Sequence, residues 1–287
     1  MPDRLEGLAA WSESIMVLAF AADLRSGFSL RLQRHPEHDA TWVWLHAIAD
    51  GRFYAFTDNR LPATTGRNRP EDADAVYEVP GLAVRMVRAG TAERLDEIRF
   101  SAEVGAHENF AAPEGEGPLR LALNGVFQPG PLKAGALAGR YERAGEVEAT
   151  LVADGRRHSL AVPAKAHEQV QEAPRFGVPF TYAMLWGPEA SMVGLAAGGR
   201  GGGDYETAAG DTPLARFAIE PRAETRRFEI EPRGGTPITG LAARAFAFEV
   251  PIFGRRWQGS IVRAALGPHT LVGMINDWRA EDQRYGL

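Results

Sequence analysis

Two Asp-Gly dipeptides, Asp50-Gly51 and Asp154-Gly155, each stand between apolar runs, and they constrain the fold more than any other feature of the chain. A two-residue hairpin turn that matches the twist of its strands needs positive φ at both central residues, and Asp-Gly is among the few pairs that supply it. Register then follows by counting outward. Around Asp50-Gly51, Ile48 falls opposite Phe53, His46 opposite Ala55 and Trp44 opposite Thr57. Trp42, Trp44, His46 and Ile48 therefore share one face, and Val43, Leu45, Ala47, Tyr54 and Phe56 the other. Two apolar faces suit a strand with a core on one side and a cavity or second layer on the other. Around Asp154-Gly155, Val147, Ala149, Leu151, His158, Leu160 and Val162 point one way, while Glu148, Thr150, Arg157 and Ser159 point to water.

The same punctuation by Gly, Pro, Asp and Asn recurs along the chain. It delimits candidate strands at 14–20, 27–34, 41–49, 52–58, 82–88, 95–103, 119–127, 145–153, 156–163, 179–187, 191–197, 215–220, 224–231, 243–250, 257–265 and 270–277. No long segment carries a helical period. The expected fold is all-β and antiparallel, built of β-barrels or sandwiches, and 287 residues leave one or two domains open. The longer connections are 59–81, 104–118, 128–140 and 198–213, and 128–140, with Pro129-Gly130-Pro131, has the composition of a linker.

Composition removes several classes of function. A net charge of -5, with arginines interleaved among carboxylates, argues against a nucleic-acid surface, whose affinity comes from clustered Lys and Arg. The absence of cysteine excludes disulfides, thiolate catalysis and Cys-ligated metal. No apolar run approaches the roughly 18 residues of a membrane span. The first residues lack a basic region before the apolar run Ile15 to Ala22, so a cytoplasmic location is expected. A homodimer is left open.

Some local patterns resemble sites without meeting their requirements. His35, Glu37, His38 and Asp39 occupy a Pro-containing connection, and His-x-x-His is a weak metal signal, so no metal is expected there. The run Gly198 to Asp204 lacks the helix that a phosphate-cradling loop opens and reads as a hairpin loop. No Gly-x-Ser-x-Gly elbow is present.

Candidate chemistry rests on three places. His46 lies beside Trp42 and Trp44, where an apolar environment would lower its pKa and let it act as a base; a core histidine satisfied by backbone is the alternative. Phe180, Tyr182, Met184 and Trp186 form a second one-sided stripe, which is either a substrate wall with a phenol in it or plain core. His167 and Glu168, near Glu172, have the chemistry of an acid/base pair, but neighbours on a strand face opposite ways, so they converge only if the segment is a loop. Asn276-Asp277-Trp278 closes the last strand, where Asp277 reads as a solvated strand end or a group at a barrel mouth.

Trp11-Ser12-Glu13-Ser14, the run Gly27 to Pro36 (GFSLRLQRHP) and Asp154 to Leu160 (DGRRHSL) together resemble the AttH-like and carotenoid 1,2-hydratase superfamily. That resemblance implies two lipocalin-like (calycin-type) antiparallel β-barrels in tandem, 1–165 and 166–287, a fold similar to that of the fungal Diels-Alderases, because the family has a comparable hairpin shortly before its second barrel begins. Relatives often carry Asp-His-x-Trp-Gly after the Asp-Gly hairpin, whereas this chain has Ala166-His167-Glu168-Gln169-Val170, in which only His167 matches. The departure puts direct transfer of water addition in question. The resemblance and the aromatic faces together lead to the expectation of a cofactor-independent lyase or isomerase of hydratase, dehydratase or cyclase type. Its substrate would be an apolar terpenoid-, polyketide- or aromatic-like molecule in a barrel or inter-domain cavity. His46, Tyr182 and His167 would move protons, and Trp42, Trp44, Phe180, Met184 and Trp186 would line the site. The alternative is a carrier that holds such a ligand unchanged.

Overall fold

The computed structural model describes residues 11–108, 115–131, 139–172, 179–252 and 255–279. Among them there is no α-helix, only a single 3-10 turn, Pro36–His38, closed by Asp39 in a left-handed conformation. Among the described residues no helix is long and apolar enough to cross a membrane. The chain divides into two compact units, Met1–Arg175 and Phe176–Leu287.

The first unit contains β1 (Ser12–Phe20), β2 (Gly27–His35), β3 (Ala40–Ala49), β4 (Arg52–Leu61), β5 (Asp74–Val79), β6 (Leu82–Gly90), β7 (Leu95–Glu108), β8 (Leu119–Pro129), β9 (Arg140–Ala153) and β10 (Arg156–Gln171). They form one antiparallel sheet in the order β4-β3-β2-β1-β10-β9-β8-β7-β6-β5. It curls until β4 meets β7 through Tyr54 opposite Glu108 and Ala55 opposite His107. Its interior holds Ile15, Val17, Leu30, Leu32, Val43, Leu45, Phe56, Phe100, Leu123 and Leu151. The Asp50-Gly51 register is as counted: Ile48 pairs with Phe53, His46 with Ala55 and Trp44 with Thr57, and both Asp50 and Gly51 have positive φ. Asp154 and Gly155 do the same between β9 and β10.

The division between units falls later than position 165. The cause is strand length: β10 continues through Gln171, and Ala164 to Gln171 pair with Ser12 to Ala19 of β1. His167 therefore belongs to the first unit. Segment 128–140 is not a linker between units, because β8 and β9 pair across it from Leu121–Ala153 to Pro129–Gly145. Residues 132–138 within it lie outside the described residues. The connection 59–81 contains β5, a short strand paired with β6.

The second unit is a closed eight-stranded barrel made of β11 (Phe180–Trp186), β12 (Ala190–Ala197), β13 (Arg200–Thr207), β14 (Gly210–Ile219), β15 (Thr225–Pro232), β16 (Ile238–Ile252), β17 (Arg255–Leu266) and β18 (His269–Trp278). The glycine run expected to be a loop is β13, a full wall strand. A Cβ on Gly201 would come within 1.9 Å of the Phe217 carbonyl oxygen, and one on Gly203, whose φ is 151°, equally close to that of Val193. The glycines are thus there for close approach of backbones in a narrow barrel, which period-based reading cannot distinguish from a loop. Ala183, Leu185, Met192, Phe217, Phe228, Ile230 and Ile275 fill the interior. Asp277 points inward as well and is no solvated strand end. It is 1% exposed, accepts a hydrogen bond from Thr181 Oγ1 at 2.7 Å and pairs with Arg226 at 2.8 Å.

Candidate functional site

The chemistry of the first unit is split between the two sides of one sheet. On the side away from the apolar interior, cross-strand pairing lines up His167, Met16, Arg31, Trp44 and Thr57 from β10 through β1, β2 and β3 to β4. The neighbouring rows carry Lys165, Leu18, Ser29 and His46, and Gln169, Ser14, Gln33 and Trp42. Period-two alternation alone would send Ser29, Arg31 and Gln33 to water, yet all of these residues except Gln169 are buried. A surface that buries two imidazoles, a guanidinium and an ammonium incurs a large desolvation cost, and such cost is characteristic of sites.

Its parts are held in place. Trp42 and Trp44 stack at 6.0 Å, and the His35 ring lies 4.6 Å from Trp42. Arg31 lies 5.0 Å over the Trp44 ring and donates to Gln33 at 3.0 Å and Ser14 at 3.3 Å. Trp44 Nε1 donates to Asn59 Oδ1 at 2.7 Å. These contacts fix the indoles as a flat apolar wall with polar groups along its edges.

His46 is 2% exposed and packs flat on Phe53 at 5.9 Å. Burial disfavours the imidazolium and brings its pKa down to about 3, so the ring is neutral at ordinary pH. His167 has a different environment. Its Nδ1 lies 3.2 Å from an Arg140 nitrogen, and since a guanidinium can only donate, Nδ1 accepts and the ring proton sits on Nε2. Arg140 is in turn paired with Glu142. The face thus holds one neutral imidazole in an apolar wall and one whose tautomer a cation fixes. Three strand spacings, about 14 Å, separate His46 from His167, so they can act at two places on one extended molecule but not on one bond.

His167 and Glu168 do not converge. β10 is a regular strand here, so His167 joins the outer face and Glu168 the interior. There Glu168 accepts from Tyr77 Oη at 2.8 Å and pairs with Arg88 Nε at 2.8 Å. Beside them Arg34 Nε donates to Glu13 Oε1 at 2.6 Å, and its guanidinium lies 5.7 Å over the Tyr77 ring. The two arginines also bind the segment between β4 and β5, through Thr64 Oγ1 and the carbonyls of Gly66, Arg69 and Asp72. Asn68 donates its backbone N–H to Glu13 Oε2 at 2.6 Å. This network secures the long connection against one end of the sheet's interior.

Burial is the dominant influence on Glu13 and raises its pKa to about 7 despite Arg34; burial raises that of Glu168 as well. A carboxylate with pKa 7 folded and 4.5 unfolded is favourable while protonated in the native state, and the benefit is lost as pH rises from 4.5 through 7. Glu13→Gln cannot ionise. Its melting temperature relative to wild type is therefore expected to rise between pH 5 and pH 8, by at most on the order of 3 kcal/mol of stability. Thermal unfolding of both proteins at the two pH values checks this, and a constant difference would show that Arg34 fully compensates the charge.

In the second unit Phe180, Tyr182, Met184 and Trp186 lie on the outer side of the β11 wall, opposite Thr181, Ala183 and Leu185. They are not barrel core. Tyr182, Met184 and Trp186 are buried all the same, and Phe180 makes an edge contact with Trp257 at 5.6 Å. Among the described residues no three of His, Cys, Asp and Glu gather as a metal site. The His35 ring turns to Trp42 while Glu37 pairs with Arg67.

Of the residues that sequence reasoning singled out, His46, Trp42, Trp44 and His167 lie on this buried face; Arg31, Gln33, Lys165 and the Glu13–Arg34–Tyr77–Glu168–Arg88 network were not singled out. The strand Gly27 to His35 alternates Phe28, Leu30, Leu32 with Ser29, Arg31, Gln33, the pattern of a sheet with one wet face.

No protein-family model matches the sequence, and no curated protein matches it either. Solved structures do match in fold. An AttH-designated protein from Nitrosomonas europaea superimposes with a TM-score of 0.61 at 12% identity, covering 94% of this chain and 93% of that one. CghA in complex with Sch210972 gives 0.58 at 10% identity over 96% and 89%. Kievitone hydratase from Nectria haematococca gives 0.51 at 7% identity over 94% and 89%. At these identities the likeness is one of fold, and it extends over nearly the whole chain: the chain has the two-unit all-β fold of AttH, CghA and kievitone hydratase.

Proposed function

We propose that the chain is a cofactor-independent lyase or isomerase, of hydratase, dehydratase or cyclase type, acting on an apolar small molecule at the outer face of β10-β1-β2-β3-β4. The observation that carries this reading is the burial, on one sheet face, of stacked Trp42 and Trp44 together with His46, His167 and Arg31. Indoles offer apolar surface, and the two histidines offer a proton donor and a proton acceptor at separate places along it. His167, with its proton on Nε2, is the donor in this scheme; neutral His46 is the acceptor. Tyr182 is the candidate donor of the second unit. Fold likeness supports the class of activity, since one neighbour is a hydratase by name and another was captured with a small molecule. Fold does not fix chemistry, so the site residues carry the weight.

The test is turnover. Purified protein is incubated with panels of terpenoid alkenes, tertiary alcohols, flavonoids and linear polyenes, and products are separated by mass spectrometry. Conversion by gain or loss of one water, or to an isomer of equal mass, is the expected result. Ligands that bind but emerge unchanged across all panels would instead support a carrier.

A further inference from the structure

Within that proposed site one hydroxyl has no partner among the described residues. Thr57 stands opposite Trp44 on the same face of the sheet and is 2% exposed, and its Oγ1 is buried without a hydrogen-bond partner among the described residues. Its neighbours on that side of β4 are accounted for differently: Phe53 packs on His46, and Asn59 accepts from the Trp44 indole. The backbone carbonyl of Thr57 is also engaged, by Gly115 N–H, which fixes the strand at this point. Buried hydroxyls in folded proteins nearly always have a partner, because burying one without it sacrifices its hydrogen bonds to water. Valine has the same shape without that cost, and β-branched apolar residues are well suited to a strand.

We infer that Thr57 Oγ1 is the group that recognises an oxygen of the ligand, so that the substrate is an oxygenated apolar molecule, with a carbonyl or hydroxyl set beside its apolar body, and not a bare hydrocarbon. The inference rests on the reading of this face as a small-molecule site. The geometry suits it: Thr57 stands opposite Trp44 on the buried face, and its hydroxyl can donate to a carbonyl. A hydroxyl can both donate and accept, so it serves a ketone or an alcohol equally.

A matched pair of probes tests this, 2-acetylnaphthalene and 2-ethylnaphthalene, which differ by one carbonyl in nearly the same shape. Dissociation constants are measured by tryptophan fluorescence for wild type, Thr57→Val and Thr57→Ser. The preference for the ketone, expressed as the ratio of the two constants, is expected to fall by about tenfold in Thr57→Val and to be retained in Thr57→Ser. Taking the ratio cancels the different hydrophobicity of the probes. Thr57→Val is also expected to melt no lower than wild type, since the change removes an unpartnered buried polar atom. An unchanged ratio in Thr57→Val overturns the inference, as does a marked fall in its melting temperature, which would show the hydroxyl to be structural. Should Thr57→Val not fold, Thr57→Ala supplies the ratio. Failure of both probes to bind wild type, or of the ketone alone, would instead count against the proposed site itself and, with it, the inference.

Discussion

Arg88→Met is expected to be the most damaging single change in the first unit, with a loss of about 3–5 kcal/mol, the usual result of stripping one partner from a buried ion pair. Arg88 is 1% exposed and meets the Glu168 carboxylate at 2.8 Å. It also donates to the carbonyls of Asp72 and Arg69, each at 2.9 Å, and to that of Gly90. Methionine fills much of the space but satisfies none of these acceptors. Glu168 would keep only the Tyr77 hydroxyl, in a site whose burial already raises its pKa. At roughly 2–4 °C per kcal/mol for a domain of this size, the melting temperature should fall by about 6–20 °C. Two further results identify the cause. The deficit should shrink as pH is lowered, because the stranded carboxylate can then take up a proton, and Arg88→Met/Glu168→Gln should recover part of it. A loss below about 1 kcal/mol, or no recovery in the double variant, would mean that the network contributes little.

That network also shows where reading the sequence stops. Short-range chemistry was legible: Asp50-Gly51 and Asp154-Gly155 placed two hairpins and the faces of the residues next to each turn. The all-β class followed from punctuation, whereas length left one or two units open and the resemblance pointed to two. The long-range pairings were not legible. β1 lies beside β10, more than a hundred residues later in the chain, and that pairing alone brings Met16 next to His167 and extends the first unit to include Gln171. The same is true of Glu13 and Glu168, which share one interior although no local signal connects them. β5 and β13 were hidden for another reason. One is short and the other is nearly all glycine at its start, and both were read by composition, which registers flexibility but not the close approach of a neighbouring backbone.

The outer face is the more instructive case. Ser29, Arg31, Gln33 and His35 alternate with Phe28, Leu30 and Leu32, and any period-two argument assigns the polar set to water. All four are buried. Polarity in a sequence reports the partners a residue requires, and water is only the commonest of them. His46 was found on this face because its strand carries Trp42 and Trp44, whose apolar bulk made burial the natural reading.

His46→Gln is expected to lower turnover by about a hundredfold or more, the usual contribution of a positioned acid or base, while leaving binding of the apolar substrate nearly unchanged. Glutamine retains a polar side chain of similar reach but cannot take up a proton. The pH dependence separates this role from a structural one. With a folded pKa of about 3, set by burial, against 6.5 unfolded, the unfolded chain binds the extra proton between these values. His46 therefore makes wild type progressively less stable as pH falls from about 6.5 toward 3, and contributes no such slope above 6.5. Glutamine does not titrate, so the stability of His46→Gln relative to wild type should rise on acidification from pH 7 to pH 4, with the two differing least in slope above pH 7. Turnover should meanwhile show no inflection near pH 6.5 attributable to this ring, since it is neutral throughout that range. Thermal unfolding and initial rates measured on the same two proteins at pH 4, 5.5 and 7 decide the matter. A flattened acid limb with full turnover would leave His46 as a buried histidine of the sheet and pass the acceptor's role to another group on this face. A flattened limb with turnover reduced about a hundredfold places the proton acceptor at the ring that the Asp50-Gly51 turn positions.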